Sequence, residues 1–307
     1  MLRKHFEQLS TQDNHFSFIV GQKQVKQQVL SALISGRHII LVGPPGIGKT
    51  SLAKEIAHLL PQKDKFVRVQ GSPDLSAEDL LGDIDPIKAL EFGPTSPQAF
   101  VKGKLFEANQ GVLFFDEVNR CSAKLQNALL QVLEEGYATI GSYRVDFPTD
   151  FIFIGTMNPH DASTEELSHV FLDRFDLIQV GYPKTPQEER EILQKSALHL
   201  PVTFGEQQQQ FIVEFIQRIR ASDKVEQAPS VRATLGLYER AQANALLEQQ
   251  QKVSYKHIFQ SIVSVLPHRL TLKPSIKYMV STQQFIAEQL KQFSTEKGVD
   301  TQEGEVP

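Results

Sequence analysis

Residues 43 to 50 read Gly43-Pro44-Pro45-Gly46-Ile47-Gly48-Lys49-Thr50, and this octet limits what the chain can fold into more than any other stretch. It follows the apolar run Ile39-Ile40-Leu41-Val42. It precedes a segment in which Leu52, Ile56 and Leu59 recur at helical spacing. The context is strand, glycine loop, helix, which is what a phosphate-binding loop requires. Backbone N–H groups of the loop and of the helix start converge on one spot, the helix dipole adds positive potential there, and the glycines admit backbone conformations that a Cβ would obstruct. Lys49 supplies a cation for the β and γ phosphates of a nucleotide, the Thr50 hydroxyl can ligate magnesium, and Ser51 completes the phosphate-binding set.

A second signal lies about 65 residues downstream, where Gly111-Val112-Leu113-Phe114-Phe115 runs into Asp116-Glu117. A buried strand ending in two acids presents Asp116 where it can hold magnesium, directly or through water. Glu117, one residue on, can orient and deprotonate an attacking water. Solvation alone can also account for acids at a strand end; the upstream phosphate loop is what turns this pair toward metal and water chemistry. Phe151-Ile152-Phe153-Ile154-Gly155 leads into Thr156-Met157-Asn158-Pro159. The Asn158 amide can fix that water by donating and accepting hydrogen bonds, and the same residues also read as an Asn-Pro turn.

Arg174 stands between Asp173 and Asp176. One reading is a surface ion pair worth at most about 1 kcal/mol. The other is a guanidinium fork for the charge of a transferring phosphoryl group. Ala228-Pro229-Ser230 reads as a helix start, which puts Arg232 in the first turn. A cation there opposes the helix dipole, so an anion such as a nucleotide phosphate would suit the position; the alternative is a side chain reaching solvent.

Five short apolar segments, at 38 to 42, 65 to 70, 112 to 115, 151 to 155 and 176 to 180, have the look of buried parallel strands and alternate with helical patterns. They predict a doubly wound α/β domain with the phosphate loop at the carboxyl end of its first strand. After Gly181-Tyr182-Pro183 only helical periods remain, to about residue 293, starting from a capping-box spacing of Thr185 and Glu188 with Pro186 in first position. The expected layout is a core over 1–183, a small all-helical domain over 184–293 and a mobile tail over 294–307.

At 307 residues with 40% hydrophobic content, the chain can bury a core for each of two domains. Lys plus Arg number 32 against 36 acids, a formal charge of −4, which supplies no global attraction for nucleic acid. Cys121 is the only cysteine, so an intrachain disulfide is excluded; a small buried thiol and a reducing compartment are expected. No apolar run of about 18 residues occurs, and the first 20 residues lack the apolar core of a signal peptide. The expectation is a cytoplasmic protein with no membrane insertion.

Taken together, the loop 43 to 50, Asp116-Glu117, Asn158, Arg174 and Arg232 resemble the Walker A, Walker B, sensor 1, arginine finger and sensor 2 elements of an AAA+ ATPase, in that order and over nearly the whole chain. More narrowly, Asp116-Glu117-Val118-Asn119-Arg120, Lys124-Leu125-Gln126-Asn127-Ala128-Leu129-Leu130, Leu133-Glu134-Glu135-Gly136 and Val180-Gly181-Tyr182-Pro183 are similar to segments of the MoxR group, close kin of magnesium chelatase ATPase subunits. Cys121-Ser122 departs from the Ala-Pro often found there, and Met157 from a frequent Gln.

The resemblance implies a P-loop AAA+ core with a five-stranded parallel sheet and a helical lid. It implies magnesium-dependent ATP hydrolysis in a ring, usually a hexamer, with Arg174 acting on the next subunit's nucleotide. It further implies a chaperone-like or remodelling role with a partner that carries a von Willebrand factor A domain, which would choose the client protein. Two hairpin inserts are expected, near 83–104 and 137–147, facing either the pore or the neighbouring subunits. A nucleic-acid motor or loader, a nucleotide-dependent switch with negligible turnover and a magnesium chelatase-like subunit are the competing readings.

Overall fold

The computed structural model describes residues 6, 15–60, 65–94, 96–135, 137–140, 143–146, 150–159 and 167–299, which form two compact units divided after Gly181. The first unit is built on five parallel strands: β1 (His38–Val42), β2 (Phe66–Gln70), β3 (Val112–Asp116), β4 (Ile152–Met157) and β5 (Phe175–Gln179). Their spatial order is β2-β3-β4-β1-β5. Strand residues alternate between the two faces. Ile40, Val42, Leu113, Phe115, Phe153 and Phe175 enter one apolar cluster with Leu125, Leu129 and Val132 of helix α3 (Ala123–Glu135). Ile39, Leu41, Val112, Phe114, Ile154 and Ile178 enter the other. That second cluster includes Val29 and Leu33 of α1 (Lys23–Ile34) and Leu52 and Ile56 of α2 (Lys49–His58). A sheet covered on both faces explains why its central strands read as continuous apolar runs instead of alternating ones. The edge strand β2 carries Arg68 and Gln70 and is less buried.

Between β2 and β3, Gly82–Ile84 pairs antiparallel with Phe100–Lys102. Where a plain hairpin was expected, a helix, Pro86–Phe92, stands between the two strands. Asp85 caps it by accepting from the Ile87 and Lys88 amides, and Pro86 opens it at the position where a missing N–H costs nothing. In the second insert Tyr137–Ile140 pairs antiparallel with Tyr143–Asp146; Gly141, Ser142 and Phe147 lie outside the described residues.

The second unit packs α4 (Pro186–Ser196), α5 (Glu206–Ala221), α6 (Val231–Leu247), α7 (Tyr255–Val265) and α8 (Thr282–Glu296) around one apolar core. Thr185 caps α4 through the Glu188 amide, but the Glu188 carboxylate takes the Lys184 N–H instead of returning to Thr185, so only half of the capping box forms. A two-stranded ribbon, Val225–Gln227 with Thr271–Leu272, is the one element of this unit that is not helical among the described residues. It is too short for an alternation to be legible in sequence.

The expected tail boundary at 294 is corrected. Helix α8 continues to Glu296, with Phe293 packed 4.9 Å from the Phe211 ring, Ser294 fully buried and Glu296 bonded to Arg218 at 2.6 Å. Residues 300–307 lie outside the described set. Among the described residues no helix is long and apolar enough to cross a membrane. Cys121 is buried, as its sequence neighbourhood predicts.

Candidate nucleotide-binding site

The loop 43–48 leaves β1 at the carboxyl end of the sheet and enters α2 at Lys49. Gly48 caps the helix with φ 97°, a left-handed conformation that costs glycine little. Gly43 lies so close to the last strand that a Cβ would sit 2.3 Å from the Val180 carbonyl oxygen. Its amide donates to the Met157 carbonyl at 3.1 Å, which ties the loop to the end of β4. The Lys49 ammonium is folded back onto the Gly43 and Pro44 carbonyls at 2.5 and 2.9 Å. It thereby spans the cradle formed by the loop. Thr50 and Ser51 occupy the first turn of α2 and are half-buried.

The parallel register sets Val42 of β1 beside Met157 of β4, and Gly155 of β4 beside Phe115 of β3. The end of β4 therefore lies between the glycine loop and the two acids. Thr156, buried to 1% exposure, joins the acids: its hydroxyl donates to Asp116 Oδ1 at 2.6 Å and accepts the Glu117 amide at 2.9 Å. Glu117 itself adopts φ 56°, ψ 52°, a left-handed conformation rare outside glycine, asparagine and aspartate. The chain turns sharply there, so the two neighbouring carboxylates take different partners. Asp116 pairs with Arg68 at 2.7 Å, and Glu117 accepts from Gln70 at 3.0 Å and from Arg120 at 3.1 Å. Asn158 follows β4 directly, half-buried, and its carbonyl accepts from the buried Asn119 amide at 3.2 Å.

Arg68, Gln70, Arg120 and Thr156 are partners of the two acids beyond the site residues expected from the sequence. The two polar residues of β2 share one face because they are two apart, a legible signal. Which carboxylate they meet depends on the β2–β3 register, which pairs Gln70 with Asp116.

Arg174 is not part of this cluster. It precedes β5, whose first residue Phe175 pairs with His38 at the start of β1, whereas Gln179 pairs with Val42 beside the loop. Five residues at about 3.3 Å each put Arg174 a strand length, about 17 Å, from the loop's end of the sheet. There it pairs with Glu134 of α3 and with Asp173. Arg232 is the second residue of α6, exposed, in the other compact unit.

One carboxylate and one hydroxyl from different elements are what a magnesium ion that also takes phosphate oxygens and waters requires, and Thr50 and Asp116 are of that type. The Arg68 guanidinium bonded to Asp116 is a cation standing at that carboxylate. Among the described residues no cluster of three or more His, Cys, Asp or Glu could hold a metal by itself.

Residues 38–175 match the family model for the AAA domain (dynein-related subfamily), and residues 217–289 match the AAA lid domain. Chaperone MoxR1 of Mycobacterium tuberculosis is 30% identical over 285 residues, 83% of this chain and 73% of that protein. The chain belongs to the MoxR-type AAA+ ATPases. Magnesium-chelatase subunit ChlI of Euglena gracilis is 25% identical over 322 residues, spanning 84% of this chain and 91% of that one. Among solved structures a RuvB mutant from Thermotoga maritima superposes with a TM-score of 0.57 at 20% identity, covering 92% of this chain and 83% of that one, a likeness of fold. In the MoxR-type frame the five-stranded sheet with the glycine loop at its carboxyl end is the AAA+ core, and the helical unit is the lid.

Proposed function

We propose that this MoxR-type chain binds ATP with magnesium and hydrolyses it, as one subunit of a ring whose nucleotide sites are shared between neighbours. The observation that carries this reading is the convergence of Lys49, Asp116, Glu117 and Thr156 at one end of the sheet, with Arg174 at the other.

Residues 43–51 cradle the triphosphate with backbone amides, and Lys49 leaves its carbonyl partners for the β and γ phosphates. Thr50 and Asp116 would hold magnesium, which when bound would supply charge neutralisation on the phosphates. Glu117 takes the proton of the attacking water, and Asn158 helps to orient that water. Arg232 of the lid adds a contact to phosphate. Arg174, a strand length from its own loop, serves the nucleotide of the next subunit in a ring, by expectation a hexamer.

The name of the Mycobacterium relative supports a chaperone-like or remodelling role. A partner with a von Willebrand factor A domain would then select the client. The relationship to ChlI supports a second reading, a magnesium chelatase-like ATPase subunit. The charge of −4 argues against a nucleic-acid motor, so DNA should not stimulate turnover.

Phosphate release measured with ATP and magnesium tests the core of this reading. Glu117→Gln should retain ATP while losing turnover by about 10²- to 10⁴-fold, the range for removal of a general base. Turnover equal to that of the wild type would sink the assignment. The same ATP-trapped variant used as bait should enrich a partner with a von Willebrand factor A domain; enrichment of a porphyrin-binding protein would favour the chelatase-like reading.

A further inference from the structure

The lid contains a buried ion pair that the nucleotide chemistry does not use. Glu189 of α4 is fully buried, and Arg220 near the end of α5 exposes only 9% of its side chain. The two meet in a fork, Arg220 Nη1 to Glu189 Oε2 at 2.6 Å and Nη2 to Oε1 at 2.8 Å. The Thr234 hydroxyl of α6 donates to the same carboxylate. The pair thus reaches a third element, the start of α6, through Glu189 Oε1 and Arg220 Nη2.

That start is gripped at several points. Arg220 Nε donates to the Pro229 carbonyl at 2.8 Å. The Tyr182 hydroxyl donates to the neighbouring Ala228 carbonyl at 3.3 Å. The Arg220 guanidinium lies 4.7 Å above the centre of the Tyr182 ring. Burial raises the pKa of the Tyr182 hydroxyl, which therefore remains a donor at neutral pH. Ser230 at the cap of α6 makes no side-chain capping bond, so the segment entering this helix is held by Arg220 and Tyr182 rather than by its own cap.

A buried ion pair is seldom retained for stability, because apolar residues of similar volume usually serve as well or better. What it does provide is direction. A guanidinium with a planar fork accepts one arrangement of partners and holds it. Here the partners of Arg220 are the Glu189 carboxylate, the carbonyl of residue 229 and the hydroxyl of residue 234, while Tyr182 takes the carbonyl of residue 228. The stretch from 229 to 234 carries Arg232.

We propose that the Glu189–Arg220 pair, with Tyr182 and Thr234, is a positioning device that fixes the direction of Arg232, the lid residue assigned above to the nucleotide phosphates. Arg220 acts through Arg232 and touches no substrate, and Tyr182, the first residue of the lid unit, ties the same segment to the start of the lid. The inference rests on the proposed nucleotide-binding function.

Two measurements on the full chain separate it from that function. The first uses no nucleotide. In the paired substitution Glu189→Met with Arg220→Met, melting should change little, because the pair is replaced by side chains of similar reach. Amide hydrogen exchange over 228–234 should accelerate about tenfold or more while the rest of α6 keeps its protection. Tyr182→Phe, which removes one hydroxyl and keeps the ring, should accelerate the same amides to a smaller extent. Unchanged exchange over 228–234 in both variants overturns the proposal whether or not the protein binds ATP.

The second measurement is calorimetric titration with adenylyl imidodiphosphate and magnesium. Arg232→Ala should weaken binding about tenfold, the size of one lost charge-assisted hydrogen bond. The Glu189→Met, Arg220→Met protein should lose a similar factor, and combining the two changes should cost no more than either alone. Losses that multiply would overturn the positioning role, as would an Arg232→Ala protein that binds as tightly as the wild type. A wild type that binds no analogue would break the functional reading, and hydrogen exchange would still decide the anchoring.

Discussion

The two ends of the central sheet are built from the same five strands and hold opposite chemistry. At the carboxyl end, β1, β3 and β4 deliver the loop 43–50, Asp116, Glu117 and Asn158, a set with amide donors, one ammonium and two carboxylates. At the amino end, β5 and β1 begin with Arg174 facing Glu134 and with His38 enclosed by Phe151, Phe153 and Phe175. The first end has a cradle for phosphate but lacks Arg174; the second has that guanidinium on its surface and no cradle. Strand direction enforces the separation, since Arg174 precedes its strand while the loop follows its own. A single copy therefore does not bring the two together; in the proposed ring a second copy would.

Lys49→Ala strikes the carboxyl end alone and carries the largest expected effect, loss of ATP binding altogether. A fluorescent-nucleotide titration checks it, and undiminished affinity would remove the loop from the proposed site. Arg174→Ala strikes the amino end. It should leave binding near the wild-type value and lower turnover by about 10³-fold or more, the scale of supplied arginine fingers. Mixing Arg174→Ala with Lys49→Ala protein then gives the sharpest form of the comparison. If the two ends meet between subunits, a mixed ring has some sites with both a working loop and a working arginine, and part of the activity returns. Strict additivity of two inactive proteins would mean that the ends never cooperate.

The smallest effect concerns stability at the amino end. Burial, aided by neighbouring Arg37, lowers the His38 pKa from 6.5 to about 4, and its Nδ1 accepts the Phe153 amide at 3.1 Å. The unfolded chain takes up this proton at higher pH than the folded one. His38 therefore stabilises the fold fully above pH 6.5, and that contribution falls away between pH 6.5 and 4. The shift corresponds to about 3 kcal/mol. Melting temperature followed over this window should decline in the wild type and decline less in His38→Asn, whereas nucleotide affinity at neutral pH should be similar in both. Parallel pH curves would show that His38 is not the titrating group.

Much of the carboxyl end was legible in residue order because its signals are local. A glycine loop between a strand and a helix, and two acids after an apolar run, each lie within one stretch of chain. The partners of those acids were not legible. Arg68, Gln70 and Thr156 lie 48, 47 and 40 residues from the acids they bond, and only parallel pairing makes them neighbours. The helix Pro86–Phe92 was missed within an expected hairpin although Asp85-Pro86 is a sound start signal, because seven residues leave too little room for a helical period to be read. The continuation of α8 past residue 293 was hidden in the same way: the burial of Ser294 and the ion pair of Glu296 depend on α5.

Residue order by itself determined that this chain makes a phosphate loop on a parallel sheet, with two acids at a strand end and a helical unit after Tyr182-Pro183, since each follows from backbone preferences and periodicities a few residues long. Tertiary structure alone decided that Thr156 joins the two acids, that Arg174 lies a strand length from its own loop, and that Glu189, Arg220 and Tyr182 grip the start of the helix carrying Arg232. Those facts depend on strand register and helix packing, which bring together groups tens of residues apart.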